Sequence, residues 1–130
     1  MELKEYFKET TGVGVLATAS SEGKVDAAIY SRPFVLNNQT LAFIMADRLS
    51  HKNLQSNPHA AYLFLESGED YEGKRLYLTK LKEGKGSEEE NEELKERYDL
   101  ACEKYKGEIL FLVYFQVDEV LPLVIEVKSW

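Results

Sequence analysis

Apolar positions recur along this chain in two periods, and the switches between them divide it into elements. Leu3, Tyr6 and Phe7 fall at helical spacing among Lys and Glu, which predicts a short amphipathic helix over residues 2–10, ending near Gly12. Residues 13–19 and 25–31 read as two strands joined through Ser20-Ser-Glu-Gly23, a hairpin. Arg32-Pro33 interrupts the second strand, because proline cannot donate to a ladder and marks an edge or a bulge. Phe34-Val-Leu36 continues, Asn37-Asn38 turns, and residues 40–45 pair back. A short helix is expected between Ser50, in N-cap position, and Pro58, which stops it. Residues 60–66 and 74–81 read as further strands around a loop at 67–73.

The last third changes character. Ser87 as cap, with Glu90 three residues on, predicts a helix start. Leu94, Tyr98, Ala101 and Tyr105 form its apolar stripe, and the helix should end at Lys106-Gly107. Its acidic run reads as a solvated face. Residues 109–115 are apolar at every position, so both faces of that strand must be covered. Asp118-Glu119 reads as a turn before a last strand at 120–127. One small sheet has difficulty covering both faces from within, and a homodimer buried against residues 109–127 answers that need. Both strands of the first hairpin are rich in Gly, Ala, Ser and Thr. Such strands leave room for something flat against the backbone, or else pack tightly against each other.

The chain of 130 residues, 44% hydrophobic and 30% charged, fits one soluble globular domain spanning 1–130. The N-terminus lacks the apolar core of a signal peptide, and no run approaches the ~20 apolar residues of a membrane span. A single Cys102 excludes an internal disulfide and fits a reducing cytoplasm. The net charge is −7, unevenly spread. Residues 1–65 hold six acids and six Lys/Arg, residues 66–130 hold 17 acids and 10 Lys/Arg. The acidic half should repel nucleic acid and anionic membranes. Residues 27–65 carry Arg32, Arg48 and Lys52 against only Asp47, a basic window that suits a small anionic ligand unless the clustering is chance.

That window contains the one stretch with a chemical signature, residues 46–58. A helix start there offers free backbone N–H groups and the positive end of a dipole. Arg48, Ser50, His51 and Lys52 surround it, a good receptor for phosphate. His51 and His59 are the only histidines, at a spacing that is no metal pattern, and neither a P-loop nor a Rossmann glycine motif is present. Ser50-His51 is a poor nucleophile pair, since adjacent helical residues point apart. No catalytic side chain and no metal ligand is therefore expected.

Three stretches in this order resemble the FMN-binding split barrel of the pyridoxamine 5′-phosphate oxidase-like superfamily. They are residues 14–26, which match its opening hairpin, Tyr30-Ser-Arg-Pro-Phe-Val35, and residues 43–58 with their Asn-Leu-x-x-Asn-Pro ending. The resemblance is good from residue 3 to 66 and weaker beyond. It implies a mainly β fold with short flanking helices, mostly antiparallel, of six to seven strands, forming a homodimer with FMN at the subunit interface. Carried over by position, Ala28, Ile29, Tyr30, Ser31 and Arg32 would contact the isoalloxazine and ribityl chain, with Ile44 and Met45 on the neighbouring strand. Arg48, Ser50, His51 and Lys52 would hold the phosphate. Many members have Lys where this chain has Ser50, so Arg48 or Lys52 would supply that charge. Trp130 would cap the partner's flavin or end the chain freely. The implied activity is an FMN-dependent oxidoreductase acting with a small-molecule substrate or electron donor. The competing readings are a flavin carrier or sensor, and a small β-barrel that binds a protein or nucleic acid. Acidic charge and the lack of interleaved basic and aromatic residues oppose the nucleic-acid reading.

Overall fold

The computed structural model describes residues 2–124. Helix α1 (Leu3–Glu9) buries Leu3, Tyr6 and Phe7, the three positions of the predicted apolar stripe. After it come β1 (Gly12–Ala19), β2 (Val25–Tyr30), β3 (Phe34–Asn37), β4 (Thr40–Ala46), α2 (Leu49–Ser56), β5 (His59–Glu66), β6 (Gly73–Gly84), α3 (Glu92–Lys104) and β7 (Leu110–Pro122). The strands form one seven-stranded antiparallel sheet in the order β2-β1-β5-β6-β7-β4-β3. The two early hairpins are as the polar turns predicted. Among the described residues, no helix is long and apolar enough to cross a membrane, which says nothing of membrane-crossing strands.

The sheet curls into a split barrel because its two longest strands are bent. Tyr77 pairs with Glu119 while Leu78 pairs with Val117, so Asp118 is the extra residue of a bulge. Leu81 is passed over in the same way between Lys80 and Lys82. Thr79 Oγ1 donates to Asp118 Oδ2 at 2.5 Å and holds the first bulge. The expected turn at Asp118-Glu119 is therefore a bulge within one continuous strand, since a polar pair serves either. The part of the expected last strand beyond residue 124 lies outside the described residues, as does Trp130.

Inside the barrel, Leu16, Phe43, Tyr62, Phe64, Leu76 and Phe115 pack with the α1 side chains. Most of their rings meet edge-on or tilted, as in Phe7–Phe64 at 5.2 Å and Phe43–Tyr62 at 4.9 Å, while Tyr62 and Phe64 stack. A second cluster lies outside the barrel wall, where Leu94 and Tyr98 of α3 cover Leu110, Leu112 and Tyr114. The Leu110–Phe115 half of β7 is thus covered on both faces, as its composition required, and α3 supplies the second cover. The need for a second copy against residues 109–115 disappears.

Two helix starts differ from expectation. Arg48, extended at φ −127° and ψ −168°, is the N-cap of α2, and Ser50 is inside the helix. Its hydroxyl turns to Asp26 Oδ2 at 3.3 Å and cannot cap. Helix α3 begins at Glu92, where Asn91 Oδ1 accepts from the Leu94 N–H at 3.1 Å. Ser87 belongs to a 3-10 turn, Gly86–Glu88, that precedes it. Gly86 is needed there because a Cβ would meet the Tyr98 ring at 2.1 Å. Tyr105 caps the far end of α3 and is half exposed, outside the stripe.

Candidate functional site

The break at Arg32-Pro33 separates β2 from β3, the two edge strands, and a cleft of about 770 Å³ opens beside the gap. That volume falls within the range of small-molecule sites, roughly 300–1,000 Å³. Phe34, Val35, Phe43 and Ile44 form an apolar floor, and α1 and α3 form opposite walls. Two anchors set the β2 wall. Arg32 Nη1 donates to the carbonyls of Phe7 and Thr10, both at 2.9 Å, tying the end of β2 to the end of α1. Tyr62 Oη, at the centre of the core, donates to the carbonyls of Tyr30 at 3.1 Å and Ser31 at 3.2 Å. Burial raises that hydroxyl well above the usual phenol range, with Arg32 opposing, so it stays protonated and donating.

The glycine opposite explains part of the small-residue hairpin. A Cβ on Gly14 would fall 1.8 Å from Tyr62 Oη. The space that Gly14 leaves is filled by Tyr62, so at this position tight packing is the outcome, and no room remains for a flat ligand.

The eleven positions singled out from sequence fall in two neighbouring groups. Ile29, Tyr30, Ser31, Arg32 and Ile44 line the cleft. Ala28 is half-buried on β2 opposite Leu16, and Met45 is fully buried in the core, so a ligand contact by Met45 would have to use its backbone. Arg48, Ser50, His51 and Lys52 lie together at the start of α2, which the cleft approaches only at Ala46 and Glu108. Arg48 is ion-paired with Glu108. Tyr30 joins the two groups, since it lines the cleft and its hydroxyl lies near Ser50 and Asp26. Burial raises the Tyr30 hydroxyl, Ser50 opposes, and Asp26 adds to the rise.

His51 has a different set of partners from the one its sequence position suggested. It is buried, stacked on Phe111 at 4.2 Å with the rings 7° from parallel. Its Nδ1 lies 3.2 Å from Asp47 Oδ1 and its Nε2 2.8 Å from Glu83 Oε2. Glu83 also accepts from Lys80 Nζ at 2.5 Å and from Gln55 Nε2 at 2.8 Å. Both ring nitrogens are engaged, so the imidazole locks α2 to β6 and β7, and its carboxylate neighbours disfavour an anion beside it.

This network has a pH consequence. Burial alone would raise the Glu83 carboxyl, but the bonds from Lys80, Gln55 and His51 outweigh it and bring it from 4.5 down to about 2. A lowered carboxyl stabilises the fold above its unfolded value and loses that contribution as pH falls from about 4.5 towards 2. Urea unfolding at pH 6 and pH 3 should show Glu83→Gln losing less stability on acidification than wild type, by about 2 kcal/mol. Equal acid losses in the two proteins would show that Glu83 titrates normally.

Four cations of the cleft were not singled out from sequence. Lys4 and Lys8 reach it from α1, Arg97 and Lys104 from α3. Arg97 lies over the Phe34 ring, 5.0 Å from its centroid. The first helix read as amphipathic with balanced charge and the acidic run of the later one as a solvated face, so no sequence signal marked these four.

The sequence profile of the family "Pyridoxamine 5'-phosphate oxidase" matches residues 2–127. Among curated proteins, none matches the chain. Several solved structures share the fold. An FMN-binding protein from Syntrophomonas wolfei superposes with a TM-score of 0.74 at 14% identity, covering 96% of this chain and 86% of that one. HupZ of Group A Streptococcus gives 0.69 at 15% identity, covering 93% and 90%. An FAD-binding protein from Mesorhizobium loti gives 0.58 at 12% identity, covering 86% and 83%.

Proposed function

The chain belongs to the pyridoxamine 5′-phosphate oxidase family, and from that premise we propose that it binds FMN in this cleft, as a homodimer, and acts as an oxidoreductase on a small molecule. The observation that carries the reading is the cleft itself, an apolar floor at the sheet's open edge beside a helix start with cations. The donor set suits the group. Ile29 and Ile44 offer flat apolar surface, the Ser31 and Arg32 segment offers polar atoms, and the first turn of α2 offers backbone N–H groups for a phosphate. Arg48 and Lys52 supply charge there. Ser50 and His51 contribute through their backbone, because their side chains are taken by Asp26 and by Asp47 with Glu83.

When bound, FMN supplies hydride and electron transfer. The chain's own residues bind it, orient it and exclude water. Pairing of two copies is supported by the apolar outer face of the β2–β1–β5–β6 sheet, where Val13, Val25, Ile29, Leu63 and Tyr77 are exposed. Surface of that kind on one face marks an interaction site.

The protein purified and reconstituted with FMN should keep flavin absorption bands after desalting. Anaerobic NADH or NADPH should bleach them, and sedimentation at micromolar concentration should give a dimer. Loss of the bands on desalting would remove the flavin reading. Bleaching by dithionite alone would favour a carrier or sensor. Arg48→Ala should raise the FMN dissociation constant roughly 10- to 150-fold, the worth of one charge-assisted hydrogen bond. An unchanged constant, read by flavin fluorescence quenching, would take Arg48 out of the phosphate site.

A further inference from the structure

Helix α2 is fastened to the barrel mostly by polar groups. It buries four side chains, Ser50, His51, Asn53 and Leu54, and only Leu54 is apolar. Leu54 enters the inner core from the second half of the helix. Asn53 Nδ2 donates to Thr18 Oγ1 of β1 at 3.1 Å, a neutral bond. The first turn is held by Ser50, which donates to Asp26 Oδ2 of β2 at 3.3 Å, and by His51. A helix docked through an apolar face keeps its place whatever the pH, whereas one docked through an imidazole is held according to the charge on the ring.

The ring stands between two acceptors. Nδ1 faces Asp47 Oδ1 at 3.2 Å and Nε2 faces Glu83 Oε2 at 2.8 Å, and an ionised carboxylate can only accept. The Gln55 amide nitrogen lies 3.1 Å from Nε2, but its two hydrogens go to the His51 carbonyl at 3.0 Å and to Glu83 Oε1 at 2.8 Å. A neutral imidazole has a single N–H, so only the imidazolium satisfies both carboxylates. The two sides are unequal. The Asp47 side chain is 58% exposed and can turn to water, whereas that of Glu83 is 23% exposed and also bonded by Lys80 of β6. Burial opposes, but the bonds from Lys80, Gln55 and His51 keep the Glu83 carboxyl down at about 2, so it stays an anion above that pH. Strand β7 adds only the uncharged face of Phe111. The remaining charges about the helix start are Asp26 on β2, Arg48 paired with Glu108, and the exposed Lys52.

We propose that His51 is a proton-operated clasp for the start of α2, closed while the imidazolium bridges Asp47 and Glu83 and open once Nδ1 gives its proton to solvent and Asp47 turns to water. The neutral ring keeps its N–H on Nε2, towards the more buried and permanently ionised Glu83. Opening removes one link, at the residue just before the N-cap Arg48, and turns a charge-assisted bond to Glu83 into an ordinary one. The clasp therefore contributes on the acid side of the ring's titration, and its contribution is lost as pH rises through it. Its bearing on function rests on the flavin reading. The backbone N–H groups offered to the phosphate belong to the turn that the clasp seats, so His51 acts as a positioning residue for that group.

The test follows the full chain from about pH 5 to about pH 9 by NMR. Long-range proton–nitrogen spectra report the protonation of each ring nitrogen, with the exposed His59, whose Nδ1 lies 3.5 Å from the Thr79 hydroxyl, as reference in the same spectra. Amide exchange, corrected for its intrinsic pH dependence, reports the seating of α2. Protection of the Lys52 amide, which closes the first turn on the Arg48 carbonyl at 3.0 Å, should fall about fivefold at the pH where His51 loses its Nδ1 proton. That factor is the difference between a charge-assisted and an ordinary hydrogen bond. His51→Gln should show no step. Glu83→Gln, which removes the charge but keeps an oxygen acceptor, should move the step to lower pH. Relative to His51→Gln, the wild-type FMN dissociation constant should rise by the same factor across the step. A His51 ring that keeps one protonation state throughout, a neutral ring protonated on Nδ1, protection that ignores the titration, or a step that survives in His51→Gln overturns the proposal. A step in protection with no matching change in FMN affinity, or with no FMN binding at all, keeps the clasp and takes the flavin phosphate off this turn.

Discussion

Replacing Tyr62 with alanine should lower the free energy of unfolding by about 3–5 kcal/mol, among the largest losses available to a single substitution in this chain. The ring has no exposed surface and touches Phe7, Phe43 and Phe64, so its removal leaves a cavity ringed by stiff aromatic neighbours. Guanidinium-induced unfolding measures the loss directly. Gly14 provides an internal control. In the wild type, Gly14→Ala places a methyl against the Tyr62 ring and should cost about 1–3 kcal/mol as overpacking. In the Tyr62→Ala background the same methyl enters the cavity, so the double mutant should be clearly less destabilised than the two single losses added together. Additive losses would show that the Gly14–Tyr62 contact is not what makes either position sensitive. Tyr62→Phe separates packing from function. It keeps the ring and removes only the hydroxyl bonds to the Tyr30 and Ser31 carbonyls, at about 1 kcal/mol of stability. Its expected signature is a looser cleft wall, read as weaker FMN binding out of proportion to the small change in stability.

Leu94→Ala should have the second largest effect, about 2–5 kcal/mol, and should act locally. Leu94 is fully buried between α3 and the outer face of the barrel. Besides it, α3 is held chiefly by Tyr98, whose hydroxyl donates to the Leu110 carbonyl at 2.9 Å. A single layer of contacts on one face makes α3 a candidate for opening before the barrel unfolds. Limited proteolysis should cut Leu94→Ala within residues 85–108 while the barrel core stays protected from hydrogen exchange. The variant should keep the barrel's own fold, because the inner core does not contain Leu94. Simultaneous loss of protection across barrel and helix would mean that α3 is part of the cooperative core.

The candidate site was legible in sequence on one side only. Residues 29–32 and Ile44 line the cleft, and they were marked only by position, through the resemblance carried by residues 14–26, 30–35 and 43–58. The start of α2 was readable as a helix start from the polar turn there and from Pro58 after it. The wiring of that turn was not. His51 lies four residues from Asp47 in the chain, but Glu83 and Phe111 reach it only through strands that pair far along the sequence. The opposite wall could not be read at all. Arg97 and Lys104 belong to a helix whose acidic run hides them in any local count of charge, and Lys4 and Lys8 belong to a balanced one.

The chain's apolar pattern by itself determined α1, the strands of the two early hairpins and the double-sided burial of residues 110–115, while turn residues and Pro58 marked where the hairpins turn and where α2 stops. These depend on which face of one element is apolar, and a period of 2 or 3.6 records that directly. Tertiary structure alone decided that α3 covers Leu110, Leu112 and Tyr114 on the outer face of β7, that Asp118 is a bulge, and that residues of α1 and α3 line one cleft with the end of β2. The reason is the same in all three cases. Periodicity says which side of an element seeks cover, but what covers it, and which charges then face each other across a gap, depends on how distant elements are closed together by the curl of the sheet.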